Sequence, residues 1–395
     1  MTSYASTRRT VAHKIVRLAC VFLAMICFAL ILFGWIGHET LESWIRSWLP
    51  NGVGLMGIVL LALLFLATSY IAIFLHELGH AIAGRVRGLR FYFLIIGRLA
   101  IACDEGRFRM RRIAQGRMLT GKCLSAPVNA GALRADLVWF YAGGPIGSIL
   151  AAISGIGSAY ALGPQSDLVA STFRLALAFT GINAALHVPQ GIPLPPGIAR
   201  PGTDGAHLWI IWRDIAGARS HLATLNLFGL SRCGVRPRDW PEHLLQDIAN
   251  EPGASRNIYR QFQLAKYWDQ GDMAEALRLS YEAVEEIDTM GKDEAQATAL
   301  THSYFVALLG EDSASARAWF ERGRNAPIDK FRLLSAEAEV LIAEGEIEKA
   351  QTTLQQARGA LKLALTRITD ADRELLDDQE QRVLERLQLS SAAKP

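Results

Sequence analysis

"FLHELGHAIAGRVRG", residues 74–88, closes a stretch from Gly54 to Leu75 that carries no charged side chain. His76, Glu77 and His80 then arrive together at the end of a segment that reads as buried in lipid. An ionisable group at bilayer depth costs about 3 kcal/mol, so such groups are paired, functional, or at the point where a helix leaves the membrane. On a helix, His76 and His80 stand one turn apart and share a face, so both imidazoles reach a single metal ion. Glu77 lies about 100° round the helix from His76, placed to address a bound water more than to ligate. Zinc fits this set: it takes neutral nitrogen ligands, and a catalytic site keeps one position open for water. The plainer alternative is a helix emerging into water with its polar residues solvated.

Outward from this motif, other apolar runs follow the same logic. Residues 18–37, LACVFLAMICFALILFGWIG, form twenty uncharged residues in a row. That length spans roughly 30 Å as a helix, the thickness of a hydrocarbon core. Arg8, Arg9, Lys14 and Arg17 precede it, but the run is too long for a signal peptide and no A-x-A-like site follows, so an uncleaved helix is expected. Further spans are expected at 55–80, 137–162 and 168–188, the last carrying Arg174 near one end. Lys and Arg alternate in density across these helices. Four precede the first, residues 38–51 have only Arg46, residues 84–136 have eleven, and 163–167 have none. Positive residues concentrate on the cytosolic side. The expected arrangement is therefore a polytopic protein of the cell inner membrane, with its amino terminus, residues 84–136 and everything after 188 in the cytosol. His76 and any ligand beyond residue 188 then reach the same side.

The fold class expected is mainly α: about four transmembrane helices and a small β-hairpin, followed by a soluble α-helical repeat domain. The hairpin is expected from the aromatic and branched residues of 90–102 and 107–113, with Asp104-Glu105-Gly106 at the turn. Four regions follow from composition. They are a membrane anchor at 1–50, a core at 51–214, a Gly- and Pro-broken linker with short helices at 215–255, and a helical region at 256–391. In the last, "QGDMAEALRLSYEAV" sets Gly271, Ala276 and Ala283 at spacings that "EGEIEKAQTTLQQA" repeats with Gly345, Ala350 and Ala357. Between them, Gly310 is followed by Ala316, Phe320 and Gly323, one residue out of step. Small residues at such places let paired helices approach, which resembles a degenerate tetratricopeptide-type array. An ordinary helical bundle is the competing reading.

With a net charge of +3, no nucleic-acid footprint stands out. The five cysteines include no CxxC pair, which argues against a disulfide framework or a thiolate zinc site. Two histidines and a water leave room for one more protein ligand. The extended pattern HExxHxxGxxH fails, since Ala83 and Val86 occupy its last two positions. Asp204, in "PLPPGIARPGTDGAHLWII", opens a helix after a Pro- and Gly-rich loop; it suits either a ligand or an ordinary N-cap. Gly205 beside it would let backbone approach the helix that bears HELGH.

Over roughly residues 52–215 the chain resembles the site-2 protease family of intramembrane zinc metalloproteases. HELGH (76–80) ends one membrane helix, Gly144-Pro145 in "YAGGPIGSILAA" begins the next, and Asn183 precedes a Pro-containing loop that leads to Asp204-Gly205. The resemblance implies that His76, His80 and Asp204 bind zinc, that Glu77 is the catalytic base and that Asn183 helps to hold substrate. It implies hydrolysis of peptide bonds in membrane-protein substrates within or beside the bilayer. The chain departs from the family in having Gly147 and Ser148 where Asn often follows Gly-Pro, and Leu186 where Pro often follows Asn183. His187 and His207 are nearby polar groups, and His207, one helical turn after Asp204, is an alternative ligand. Expected partners are the bilayer, a membrane-protein substrate and a protein bound by the helical region. The reading from another class is a catalytically inactive scaffold that binds partners through that region.

Overall fold

The computed structural model describes residues 55–104, 107–112, 119–128, 134–163, 168–195, 198, 202–213, 215–250, 255–309, 312–326, 328–361 and 370–392. The expected membrane anchor at 1–50, with its 18–37 helix, lies outside these residues. Among the described residues the protein is mainly helical with one small antiparallel sheet.

Among the described residues three helices are long and apolar enough to cross a membrane: α1 (Leu55–Val86), α2 (Arg134–Ala161) and α3 (Leu168–His187, continued by a 3-10 turn, Val188–Gly191). α1 and α2 each carry more than 20 residues in a row without charge, and α3 carries a single one, Arg174, so each is apolar over a bilayer's length. Gly88, at φ +79°, stops α1: its left-handed backbone lets the Leu89 N–H reach back to the Gly84 carbonyl at 2.9 Å. Arg87 then pairs with buried Asp136 at 2.7 Å, fixing the end of α1 to the start of α2. The two helices touch backbone to backbone. A Cβ on Gly79 would stand 2.2 Å from the Gly143 carbonyl oxygen, and one on Gly143 would stand 2.5 Å from that of Gly79. Approach this close needs glycine on both sides. Arg174 on α3 is buried, and its Nε donates to the Ala159 carbonyl at 2.8 Å, so this charge is held inside the bundle.

Two expectations about this region are corrected. Gly144-Pro145 does not begin a helix; it lies inside α2, a full ten residues after Arg134. Proline lacks the N–H that would bond the carbonyl four residues earlier, so the ladder is interrupted in mid-helix. The β element is not a hairpin but a four-stranded antiparallel sheet: β1 (Arg90–Ile96), β2 (Leu99–Asp104), β3 (Arg107–Arg112) and β4 (Gly121–Ala126), in the order β3-β2-β1-β4. The arm expected at 90–102 breaks at Gly97, whose φ of +56° makes a tight turn, so that Ile96 pairs with Leu99. β4, with Gly, Lys and Ser among its six residues, has too weak an alternation to read as a strand. The sheet lies against α1 through Ile73, Leu94 and Ile96, with Tyr70 and Phe74 beside them.

Beyond the core come α4 (Asp204–Arg213), α5 (Ile215–Arg232), α6 (Glu242–Ala249) and α7 (Ser255–Gln270). The segment 215–255, expected as a linker, supplies an 18-residue helix and an apolar cluster of Leu227, Trp240, Leu244 and Ile248. Phe262 of α7 packs into that cluster, so this core crosses residue 255.

The remainder is α8 (Met273–Glu285), α9 (Lys292–Leu309), α10 (Ser313–Gly323), α11 (Lys330–Ala343), α12 (Ile347–Leu361) and α13 (Asp370–Ala392). Ala276, Ala316, Ala350 and Ala357 are all fully buried. Gly271 (φ +81°) and Gly345 (φ +80°) end α7 and α11 in the same way, with the next residue's N–H bonding a carbonyl five residues back.

A test of the helix contact follows. Gly79→Ala pushes a methyl into the Gly143 carbonyl, and overpacking of this kind costs about 1–3 kcal/mol. Thermal unfolding in detergent should report a lower midpoint and weaker metal retention. A variant as stable as the wild-type protein contradicts the contact.

Candidate metal centre

His76 and His80 project from one face of α1, as their four-residue spacing requires, and both are buried. Asp204, the first residue of α4, meets them. Its Oδ2 is 3.0 Å from His76 Nε2 and its Oδ1 is 3.2 Å from His80 Nε2. One ligand atom from each of the three lies within 4.8 Å of the others. The cap alternative for Asp204 is settled locally. Thr203 takes the capping position, since its carbonyl accepts the first helical bond from the His207 N–H at 3.1 Å, and the Asp204 carboxylate points to the histidines instead.

The imidazoles are set by what their other nitrogens touch. His80 Nδ1 is 2.6 Å from the Phe140 carbonyl. A carbonyl only accepts, so the proton is on Nδ1 and Nε2 keeps its lone pair. His76 Nδ1 is 2.8 Å from the hydroxyl of fully buried Ser148, which orients the ring. A lone pair on His80 Nε2 facing a carboxylate oxygen at 3.2 Å needs a cation, either a second proton or a metal ion. Burial raises the Asp204 carboxyl, but its hydrogen bonds with His76 and His80 outweigh this and hold it down to about 2. It is therefore an anion at neutral pH.

The residues fit zinc. Two neutral nitrogens and one carboxylate leave the fourth position open, as in catalytic zinc sites. Ligands at about 2.0–2.1 Å from one tetrahedral ion stand about 3.3 Å apart, close to the two distances found. Gly144 keeps the space clear: a Cβ there would lie 2.3 Å from His80 Nε2 and 2.7 Å from His76 Nε2. The nearby thiol of Cys123 on β4 is pushed up by burial and by Glu77, so it stays protonated and a poor ligand.

Glu77 is buried beside this group without joining it. Its carboxylate lies against Gly121 at the start of β4, where a Cβ would be 2.1 Å from Oε1. Asn183 is not brought to the cluster. Its amide donates to the Phe179 carbonyl at 2.9 Å and to Thr68 Oγ1 at 3.2 Å, and it accepts from Ser69 Oγ at 2.9 Å. Thr68 and Ser69 lie about two turns before His76, so Asn183 ties α3 to α1. Gly205 also differs from expectation: it admits the Ile192 carbonyl, 2.0 Å from where its Cβ would be, and not the helix bearing HELGH.

His187 lies beside His76, with ring centroids 5.7 Å apart. His207 is outside the ligand group. Its ring stacks on Tyr141 at 4.5 Å and His221 at 4.9 Å, and the Tyr141 hydroxyl bonds His221 Nε2. Burial, with the neighbouring His207, pushes His221 down to about 3, and burial also lowers His207, so both rings are neutral. Ser148, the Phe140 carbonyl, Gly121 and Tyr141 were not legible as site residues. The one signal was Gly144-Pro145, which marks a helix turn with no side chain at Gly144.

Compared with known proteins, the chain matches no family model, no curated protein and no solved structure.

Zinc stoichiometry separates the ligand candidates. Asp204→Ala should lower zinc per chain by at least tenfold, whereas His207→Ala should leave it near the wild-type value. Loss of a cap alone would cost about 1 kcal/mol and leave the metal in place. Full zinc in Asp204→Ala with release in His207→Ala would transfer the third ligand to His207.

Proposed function

We propose that this protein is an intramembrane zinc metalloprotease of the site-2 protease type, which hydrolyses peptide bonds of membrane-protein substrates in or beside the bilayer. The observation that carries the reading is the convergence of His76, His80 and Asp204, distant in sequence, with the Glu77 carboxylate buried next to them. His76, His80 and Asp204 would hold the zinc. Zinc at such a site supplies a Lewis acid and brings the pKa of a bound water toward neutrality. Glu77 accepts the proton of the attacking water and delivers it to the leaving nitrogen, the role its burial and its place beside the ligands suit.

The backbone of a substrate helix is locked in its own hydrogen bonds, so the cleaved segment must be extended. β4 is an edge strand of the sheet, and Gly121 at its start touches Glu77. A substrate strand added along β4 would bring its backbone to the base. β4 lies at the opposite edge of the sheet from β3. The inner membrane, with both the amino terminus and the helical region in the cytosol, is the location that the Lys and Arg distribution favours. The buried alanines and the matching glycine caps after α7 and α11 support a tetratricopeptide-like module that binds a protein partner. An inactive scaffold would have no need of a carboxylate buried beside the metal ligands, which favours the enzyme.

Glu77→Gln tests the chemistry. It preserves size and should retain one zinc per chain, while cleavage of a co-reconstituted membrane substrate falls below detection. Wild-type turnover in this variant would remove Glu77 from the reaction.

A further inference from the structure

In the helical region α7 pairs with α8, α9 with α10 and α11 with α12. A final helix that only closed this stack would touch the last pair. α13 does touch it: Leu376 and Val383 join the apolar cluster of α11 and α12, and Arg358 of α12 pairs with Asp377 and Glu380 at 2.6 Å. It also reaches back along the array. Arg382 stands beside the Tyr304 phenol of α9. Glu374 pairs at 2.7 Å with Arg236, which is itself held by Asp269 of α7 at 2.9 Å. α13 therefore meets the first helix of every pair, α7 through Arg236, and lies across their common side.

These contacts are those of a bound ligand helix. Leu376, Gln379 and Val383 form its buried stripe, at the three- and four-residue spacing of one helix face. The middle of the stripe is polar. Gln379 donates to the Ser335 carbonyl at 3.0 Å and to Glu339 Oε2 at 2.8 Å, and it accepts from Ser335 Oγ at 2.8 Å. Arg382 donates to the same Glu339 oxygen at 2.7 Å. Glu339 is 1% exposed, and among the described residues its one ion pair is with Arg382. A buried ion pair adds little net stability, but the carboxylate is costly once it stands alone. Whatever occupies this face must therefore bring a cation to Glu339. The fit of α13 is imperfect, since Arg382 Nε is buried with no acceptor among the described residues. Its other ion pairs involve exposed groups, which contribute little.

We propose that this side of α7, α9 and α11 is the docking groove for a helix of another protein, and that α13 is its tethered placeholder. The partner is an amphipathic helix with a Gln-x-x-Arg step on its apolar stripe, for Ser335 and Glu339. Two turns before that arginine, about 12 Å away, it carries a carboxylate for Arg236. An empty groove would leave Glu339 unpaired, so α13 leaves only as the partner enters. The inference rests on the reading of this region as a partner-binding module and not on the protease chemistry.

The test uses the full chain in detergent and a fluorescent peptide of residues 370–392, with uptake read by anisotropy. A tethered segment competes at an effective concentration on the order of millimolar, so the wild-type chain should take up little free peptide. R382Q in the chain weakens the tethered helix, and the wild-type peptide should then bind at least about 30-fold more tightly. The same peptide carrying R382Q should lose that gain. E374R alters the exposed end of α13 and leaves Glu339 paired, so exchange stays testable if the R382Q chain does not fold; its expected gain is roughly fivefold. Equal uptake of the two peptides by the R382Q chain overturns the proposal. So does an absence of uptake by both variants with unchanged helical circular dichroism, which moves the partner surface elsewhere on the array. Loss of helicity in both variants overturns the module as well, because α13 then belongs to the core of the array. A wild-type dimer that the free peptide dissociates overturns the foreign partner in favour of α13 from a second copy.

Discussion

The contact on which the site depends is the backbone approach of α1 to α2 at Gly79 and Gly143. With any side chain there, the helices would stand farther apart. His80 would then lose the Phe140 carbonyl that fixes its tautomer, and His76 would lose Ser148. The space in front of Gly144 would no longer be framed by both Nε2 atoms. The candidate metal centre is thus a property of an interhelical seam rather than of the HELGH helix alone. Membrane helices gain little from apolar contact with one another, because lipid is equally apolar. Close packing and directed polar contacts take that part, and here the same few residues supply both. Asn183, with Thr68 and Ser69, is a second polar tie between α1 and α3 in the same bundle.

Electrostatics follows from that packing. Asp204 is drawn in by two imidazoles and remains charged despite burial. His207, His221 and Tyr141 form a stacked layer beside it that stays neutral. Such a layer leaves the carboxylate as the anion of the centre and adds no competing cation. Cys123, held protonated, likewise leaves the three ligands unopposed. Glu77 lies beside the histidines and against Gly121, the first residue of an edge strand.

The sequence carried much of this because the signals were local and strong. The uncharged run from Gly54 to Leu75 is long enough to cross a bilayer as a helix, and two histidines one turn apart share a face whatever surrounds them. Asp204 was legible as a ligand through the resemblance, since its residue type and position alone favour an N-cap, the place that the Thr203 carbonyl holds. The sheet was misread because its first arm is continuous in apolar character while its turn rests on one glycine, Gly97. β4 was missed because a short edge strand made of Gly, Lys, Cys, Leu, Ser and Ala has no periodic pattern to recognise. Ser148 and the Phe140 carbonyl could not be foreseen, since their roles exist only once α2 lies across α1. Leu227, Trp240, Leu244 and Ile248 make a core from a segment whose Gly and Pro content suggested a linker; the breakers separate its helices without preventing their packing.

Zinc K-edge absorption on the purified full chain tests the centre most directly. The account predicts one zinc per chain with nitrogen and oxygen neighbours at about 2.0–2.1 Å, an imidazole signature from two rings and no sulfur. A sulfur shell at about 2.3 Å, which would bring Cys123 into the site, or the absence of stoichiometric zinc in protein purified without chelators, would contradict it.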